Sequence, residues 1–281
     1  MTTPPILTGM SVSDYADFER GNGSRISLIG GHYWRMAAPG FWKPLVIYSR
    51  LDETVAVPLH FRFGGYQLPV DDPGEGNSSI NYLLFENPSE YRPDNLERKF
   101  RQDIARSLRA FEMRIIEDRE EFTRKAYPVY LSFHARSNYS YRGDRRVMSV
   151  FAGWAANIYK SGKMSVIGAF RGESLCGIMV VANVEGVVRL ISTFSDSTHL
   201  KSGVNEFLFH FAREMARATP GISSIFAGAE SERAGVNEFK LNRGAVLVKR
   251  PARLHLNPVL RFGLMHFSRA RYRRLLGATA S

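Results

Sequence analysis

Between Met164 and Arg250 strand-like runs alternate with tight turns, and no other stretch limits the fold so strongly. Met164–Phe170 and Leu175–Val184 are apolar runs joined by Arg171-Gly172-Glu173-Ser174, and Val187–Thr193 follows Glu185-Gly186. Short apolar runs separated by glycine-bearing turns predict three antiparallel strands. A polar loop, Phe194–Ser202, leads to a helix over Gly203–Thr219. A strand at Ser223–Gly228, the segment Ala229–Gly244 and a last strand at Ala245–Lys249 complete the unit. The predicted class is α/β, with a mixed, mostly antiparallel sheet flanked by helices.

The flanking sequence reads as support for this unit. Ser11–Arg20 predicts a short helix with Tyr15 and Phe18 on one face. Leu45–Arg50 and Thr54–Phe61 read as a strand pair around Leu51-Asp52-Glu53, with Pro58 marking an edge or bulge. Ile80–Phe85 reads as a further strand, so residues 1–93 form a reduced, β-rich half-domain. A helix at Leu96–Ala110, capped by Asp94 or Asn95, shows Leu96, Phe100, Ile104 and Leu108 every fourth residue. Phe111–Glu117 predicts a strand, and Arg119–Arg136 a helix kinked at Pro128. After the loop Ser137–Asp144, a helix at Arg145–Tyr159 turns Met148, Phe151, Ala155 and Ile158 inward, with Trp154 also in the core. The main domain spans 94–252. Residues 253–281 hold a short strand at Arg253–Leu256 and a basic helical tail at Val259–Leu276.

Charge limits the partners. Thirty-eight Lys and Arg against 27 Asp and Glu give a net charge of +11. That balance favours polyanions: nucleic acid, an anionic membrane surface or a phosphate-rich cofactor. The basic residues gather on the Leu96–Ala110 helix and in the tail, where Arg261, Arg269, Arg271, Arg273 and Arg274 stand beside Leu260, Phe262, Leu264, Met265 and Phe267. The plain alternative for both is a solvated helix face. The single Cys176 excludes an internal disulfide framework and a multi-cysteine metal site, and its apolar run predicts a buried thiol. Met1–Met10 does not read as a secretory signal, and no window of about 18 apolar residues occurs, so a cytoplasmic location is expected.

From Phe111 onward the order of elements resembles the GNAT acyltransferase fold. More narrowly, it is similar to the Fem-type branch, whose best-known members are aminoacyl-tRNA-dependent transferases. The resemblance rests on the basic helix before Phe111–Glu117, the Glu120-Glu121-Phe122 helix start and the hairpin around Gly168-Ala169-Phe170 and Gly177. Its most specific part is Gly235-Val236-Asn237-Glu238-Phe239-Lys240 followed by Gly244. On this reading the first 93 residues are a reduced GNAT-like half.

The resemblance implies an amide-forming N-acyltransferase in which an amine attacks an activated acyl group directly. It implies no metal, no covalent nucleophile and no tightly bound cofactor. The oxyanion would be met by a backbone N–H near Ile191–Phe194. Two donors fit. CoA-dependent GNAT proteins hold the diphosphate in an Arg/Gln-x-x-Gly-x-Gly/Ala loop at a helix start. Here that loop is Leu200-Lys201-Ser202-Gly203-Val204-Asn205, which keeps one glycine and places Asn205 where the diphosphate would approach. Gly228-Ala229-Glu230-Ser231 also lacks an arginine that relatives often carry. The eroded loop, together with the basic charge, favours an aminoacyl-tRNA donor over an acyl-CoA or acyl-carrier thioester. A non-catalytic GNAT-like module on an anionic membrane or nucleic acid is the reading from a different class.

Candidate residues follow. Asp196 is placed to orient or deprotonate the amine, against an Asx turn; Glu230 faces the cleft, against a surface carboxylate; Lys240 is placed to bind an anion or the oxyanion, against a solvated lysine. Tyr139, Tyr141, Arg142, His199 and Asn205 are the expected substrate contacts. Arg98, Lys99, Arg101, Lys201, Arg269 and Arg273 are the expected tRNA or phosphate contacts.

Overall fold

The computed structural model describes residues 4–49, 57–137 and 142–278. Tyr139, Tyr141 and the Leu51-Asp52-Glu53 turn lie outside the described residues. In chain order the elements are β1 (Gly9–Met10), α1 (Val12–Gly21), β2 (Ile26–Ile29), β3 (His32–Ala38), β4 (Phe41–Pro44), β5 (Gly65–Pro69), β6 (Ser78–Glu86), α2 (Arg98–Ala110), β7 (Glu112–Ile115), α3 (Arg119–Ser137), α4 (Met148–Lys160), β8 (Met164–Arg171), β9 (Ser174–Val184), β10 (Val187–Ser195), α5 (Val204–Ala218), β11 (Ser224–Ala229), α6 (Ala234–Leu241), β12 (Val246–Leu256), α7 (Pro258–Phe267) and α8 (Arg269–Leu275). They divide into two compact units. The first comprises Met1–Ser11 and Phe85–Ala227, and the second Val12–Leu84 and Gly228–Ser281.

In the first unit, β7, β8, β9 and β10 form successive antiparallel pairs, and β11 joins β10 in parallel. The turn between β9 and β10 holds Glu185 and Gly186 at φ 49 and 79, the two left-handed positions that match the twist of a tight hairpin. At the amino end, Gly9 and Met10 add a short parallel strand to β9, anchored by the Leu7 N–H donating to Thr219 Oγ1 at 2.9 Å. Alternation along β10 assigns the two faces. Phe194 packs on Tyr130 of α3 and Trp154 of α4, with centroids at 5.2 and 6.2 Å. Ser195 turns the other way, to α5. Gly177 of β9 lets α5 approach, because a Cβ there would stand 2.6 Å from Val204 Cγ2 and 3.1 Å from Leu208 Cδ1. The core between sheet and helices is aromatic: Phe122, Phe151, Trp154, Phe194 and Phe207 are all buried, each worth about 2–3 kcal/mol of apolar transfer.

In the second unit the strand order is β2, β3, β4, β5, β12, β6. Its core is Trp34, Phe61 and Tyr66, with Trp42 stacked on Phe61 at 4.5 Å. Here the structure departs from the pattern-based reading. Leu45–Ser49, expected as a strand, is turn, and the strand lies just before it at Phe41–Pro44. Leu45 and Val46 are apolar because they are buried, and the carbonyls of Ile47 and Ser49 are satisfied by the Arg250 guanidinium instead of a ladder. Of the expected Thr54–Phe61 strand, the described part holds a 3-10 turn, Leu59–Phe63. The last strand runs through Pro251 to Leu256. It pairs with β6 up to Ala252 and with β5 from Ala252 onward, so the proline falls where one ladder hands over to the other. Helix α2 begins at Arg98 with Glu97 at its cap, and Asp94 and Asn95 sit in a separate 3-10 turn. Gly143–Arg146 is likewise a 3-10 turn ahead of α4. The tail is two helices broken at Ser268, whose φ of −148 and ψ of 51 are not helical.

Candidate active site

The expected site residues fall into two groups, one in each unit. The first surrounds the end of β10 and the start of α5. A register shift between Leu190 and Ser192 puts a bulge at Ile191. Parallel pairing with β11 covers only Val187–Arg189 against Ser224–Phe226, while β10 continues to Ser195. A bulged strand that outruns its partner is where a sheet can present backbone amides to a ligand. This is the stretch expected to meet an oxyanion.

Asp196 follows it, half-buried. Its Oδ1 accepts from the Thr198 N–H at 2.8 Å and from Thr198 Oγ1 at 2.7 Å, an Asx turn that starts the 3-10 segment Ser197–Ser202. Burial pushes the Asp196 carboxyl up. The Thr198 hydrogen bonds, the nearby His199 and the Ser132 hydroxyl outweigh it and hold the carboxyl below its ordinary value. Such a carboxylate stays ionised at neutral pH. It can accept an N–H hydrogen bond from an amine and so orient it. Ser132 of α3, not singled out by sequence, also bonds Ser197 through the Ser197 N–H at 3.1 Å. His199 packs edge-on against Phe111 at 6.0 Å. Arg142 takes the left-handed conformation, φ 57, and its carbonyl accepts from Tyr130 Oη at 2.7 Å. Cys176 is buried, with its thiol pushed up by that burial, which does not suit a nucleophile.

The start of α5 is already furnished. Gly203 has φ 84, and a Cβ there would lie 3.2 Å from Ser107 Cβ, 3.5 Å from the Asp103 carbonyl oxygen and 3.6 Å from Glu206 Oε2. Asn205 Oδ1 accepts from Ser195 Oγ at 3.0 Å. Around this helix N-terminus, where a diphosphate would need bare amides and positive charge, stand a carbonyl, a carboxylate and a side-chain amide. Lys201 is exposed nearby in sequence, as are Arg98, Lys99 and Arg101 on α2.

The second group is built by α6. Asn237 is buried and clamps Ser231 twice: its Oδ1 accepts from the Ser231 N–H at 2.8 Å and its Nδ2 donates to the Ser231 carbonyl at 2.9 Å. That clamp fixes the turn after β11 and hence Glu230. Glu230 is 8 % exposed, and its Oε2 accepts from Asn81 Nδ2 at 2.8 Å, while its N–H donates to the Asn81 carbonyl at 3.0 Å. Asn81 also donates to the Gly277 carbonyl at 3.2 Å and accepts from Ser79 Oγ at 2.7 Å. Sequence reasoning missed Asn81, which sits inside an apolar strand run. Lys240 projects toward Gly228, where a Cβ would be 3.7 Å from its Nζ. Burial pushes the Lys240 ammonium down to about 8.

Lys43 of β4 is a second lowered lysine that the sequence did not flag. Burial first, then Arg274 and Arg35, push it to about 8. Arg35 lies directly across from it on β3. Arg35 pairs with Glu19 at 3.4 Å and Arg274 with Glu232 at 2.9 Å. Arg269 and Arg273 on α8 are exposed.

Comparison with known proteins fits this architecture. No protein-family model and no curated protein sequence matches the chain. Solved structures do. FemX superposes with a TM-score of 0.61 at 10% identity, over 90% of this chain and 93% of that one. L-PGS from Bacillus licheniformis gives 0.60 at 11% identity, over 97% and 99%. The fold is the GNAT-type fold in its Fem-type form. The C-terminal domain of a protein named as a lysylphosphatidylglycerol synthetase, from Agrobacterium fabrum, shares this Fem-type fold, with a TM-score of 0.57 at 10% identity over 95% and 93%. The segment Leu200–Asn205 lies between β10 and the first turn of α5, and Lys240 lies on α6.

Proposed function

We propose that the chain is an amide-forming acyltransferase whose donor is an aminoacyl-tRNA and whose acceptor is an amine. The observation that carries the choice of donor is the furnished start of α5. The Asp103 carbonyl, the Glu206 carboxylate and the Ser195–Asn205 hydrogen bond are a poor receptacle for a CoA diphosphate. An aminoacyl-tRNA has no need of that receptacle. It presents its ester at the end of a polyanion and draws affinity from phosphates along the acceptor arm. Arg98, Lys99, Arg101 and Lys201 supply an exposed basic face for such an arm in the first unit. The likeness to FemX and L-PGS over most of the chain supports the reaction class.

In the proposed reaction the amine nitrogen attacks the ester carbonyl, a C–N bond forms, and the C–O bond to the ribose breaks. The amine proton leaves for the ribose oxygen. The amine reacts in its neutral form, and ionised Asp196 accepts one of its N–H hydrogen bonds and orients it. Backbone amides beside the Ile191 bulge meet the developing oxyanion. Lys240 holds a substrate anion, and its lowered basicity reflects the desolvation that strengthens such a contact. Glu230, fixed by Asn81, and the loop residues Tyr139, Tyr141, Arg142, His199 and Asn205 are assigned to substrate contact. The test is a pair of binding measurements on the purified chain. Retention of charged tRNA that falls steeply with salt supports the reading. A melting temperature raised by CoA, with no tRNA retained at low salt, overturns it.

A further inference from the structure

Helix α7 is apolar and yet none of its residues is fully buried. Asn257 caps it, its Oδ1 accepting from the Leu260 N–H at 2.6 Å, and Pro258 occupies the first turn, so the helix is well founded locally. No residue of its ten is buried. Val259 is 80 % exposed, Phe262 59 % and Phe267 87 %. A globular helix normally turns its apolar residues to the core; here only Leu260, Gly263 and Leu264 are half-buried, and Val259, Phe262, Met265 and Phe267 are left exposed.

The patch is wider than the helix. Asn257 also donates from its backbone to the Gly64 carbonyl at 3.0 Å and from Nδ2 to the Phe63 carbonyl, which fixes the 3-10 turn Leu59–Phe63 beside the start of α7. That turn exposes Leu59 and Phe63, at 69 % and 75 %. Two segments almost 200 positions apart in the chain therefore put large apolar side chains at one place. The charge carried by the tail itself has one sign. Arg62, Arg261, Arg269, Arg271 and Arg273 are exposed, and no Asp or Glu occurs after Glu238. Arg274 is the arginine of α8 that pairs, with Glu232.

We propose that Leu59, Phe63, Val259, Phe262 and Phe267, with the arginines of α7 and α8, dock this protein on an anionic lipid surface. The phosphates of the headgroups meet the guanidinium groups, and the apolar side chains enter the acyl boundary. The branched aliphatic groups decide between polyanions: nucleic acid rewards arginine and stacking rings, and gains little from an exposed Val259 or Leu59. Docking of this kind is independent of the reaction proposed above and needs no spanning segment; among the described residues no helix is long and apolar enough to cross a membrane.

The test is co-sedimentation of the full chain with phosphatidylglycerol-containing vesicles and with pure phosphatidylcholine vesicles. Binding is expected to the first and to be lost at high salt. Arg269→Gln, Arg271→Gln and Arg273→Gln together should weaken it roughly a hundredfold, at about fivefold per arginine. Phe262→Ser with Phe267→Ser should weaken it at least roughly tenfold without lowering the melting temperature, since neither ring is packed in the core. In a Phe267→Trp variant, vesicles should shift the emission to the blue. Equal binding of the serine double variant, or no tryptophan shift on binding, overturns the proposal. So does loss of tRNA affinity in the double variant with vesicle binding intact, which would make the patch a nucleic-acid surface. A stable dimer that the double variant converts to monomer, with no vesicle binding, would make it a chain–chain interface.

Discussion

Replacing Lys240 with Met should stabilise the protein and disable it at the same time. The ammonium is held partly out of water, which lowers it from 10.5 to about 8. At about 1.4 kcal/mol per pH unit, that drop bounds the cost of keeping the charge at about 3 kcal/mol. Part of the side chain reaches the surface, and screening reduces the cost to about 1–2 kcal/mol. Methionine fills the space of the stem and carries no charge, so Lys240→Met should raise the melting temperature at pH 7 by about 2–5 °C. The sign follows from linkage. Below about 8 the lysine is protonated in both folded and unfolded chains, and the folded state bears the whole cost. Above 10.5 it is neutral in both, and the cost is gone. The advantage of the variant should therefore close as pH rises from about 8 to 10.5. Aminoacyl transfer, if the ammonium holds a substrate anion, should fall roughly a hundredfold. Thermal melts of both proteins across that range, with transfer measured in parallel, decide the matter. A variant that is less stable at pH 7, or a difference that does not change with pH, refutes the desolvation argument. Full activity removes Lys240 from the site.

Three further outcomes are expected. Charge reversal of Arg98, Lys99 and Arg101 to Glu should lower tRNA affinity and flatten its salt dependence by about one in the log–log slope for each lost phosphate contact, read by filter binding. Gly64→Ala should cost about 3 kcal/mol in denaturant melts, because a Cβ would stand 2.1 Å from the Gly40 carbonyl oxygen, which is backbone and cannot swing away. His210, buried and bonded through Nδ1 to Tyr91 Oη at 2.9 Å, is pushed below its ordinary 6.5 by burial. Stability should thus be complete above about 6.5 and decline as pH falls toward the lowered folded value, a decline that His210→Gln should flatten.

The hairpins of the first unit are legible in the sequence because alternation and turn chemistry agree there. Glu185-Gly186 can take two left-handed positions in succession, and the runs on either side are long enough to fix the register. The second unit is harder to read because β2, β4 and β5 are short and its apolar residues serve burial without alternation. Leu45-Val46 looks like a strand and is a buried turn; Phe41–Pro44 is a strand that ends in proline. The compact units are also discontinuous in the chain, with boundaries at 11/12, 84/85 and 227/228, and local pattern carries no record of such a return. The same distance hides Asn81. Its partner Glu230 is 149 residues away, and a lone asparagine in an apolar run reads as an outward-facing residue. Asn237 and Lys240 were visible as a motif, whereas the clamp on Ser231 that explains the motif is a property of the folded turn.

A donor exchange decides between aminoacyl-tRNA and acyl-CoA. The purified chain is offered charged tRNAs and acyl-CoAs in separate reactions with a mixture of amine acceptors, and new amides are detected by mass. The expected product is an aminoacyl amide that requires tRNA and disappears when the tRNA is deacylated beforehand. An amide formed from acyl-CoA with none from charged tRNA would contradict the proposed donor.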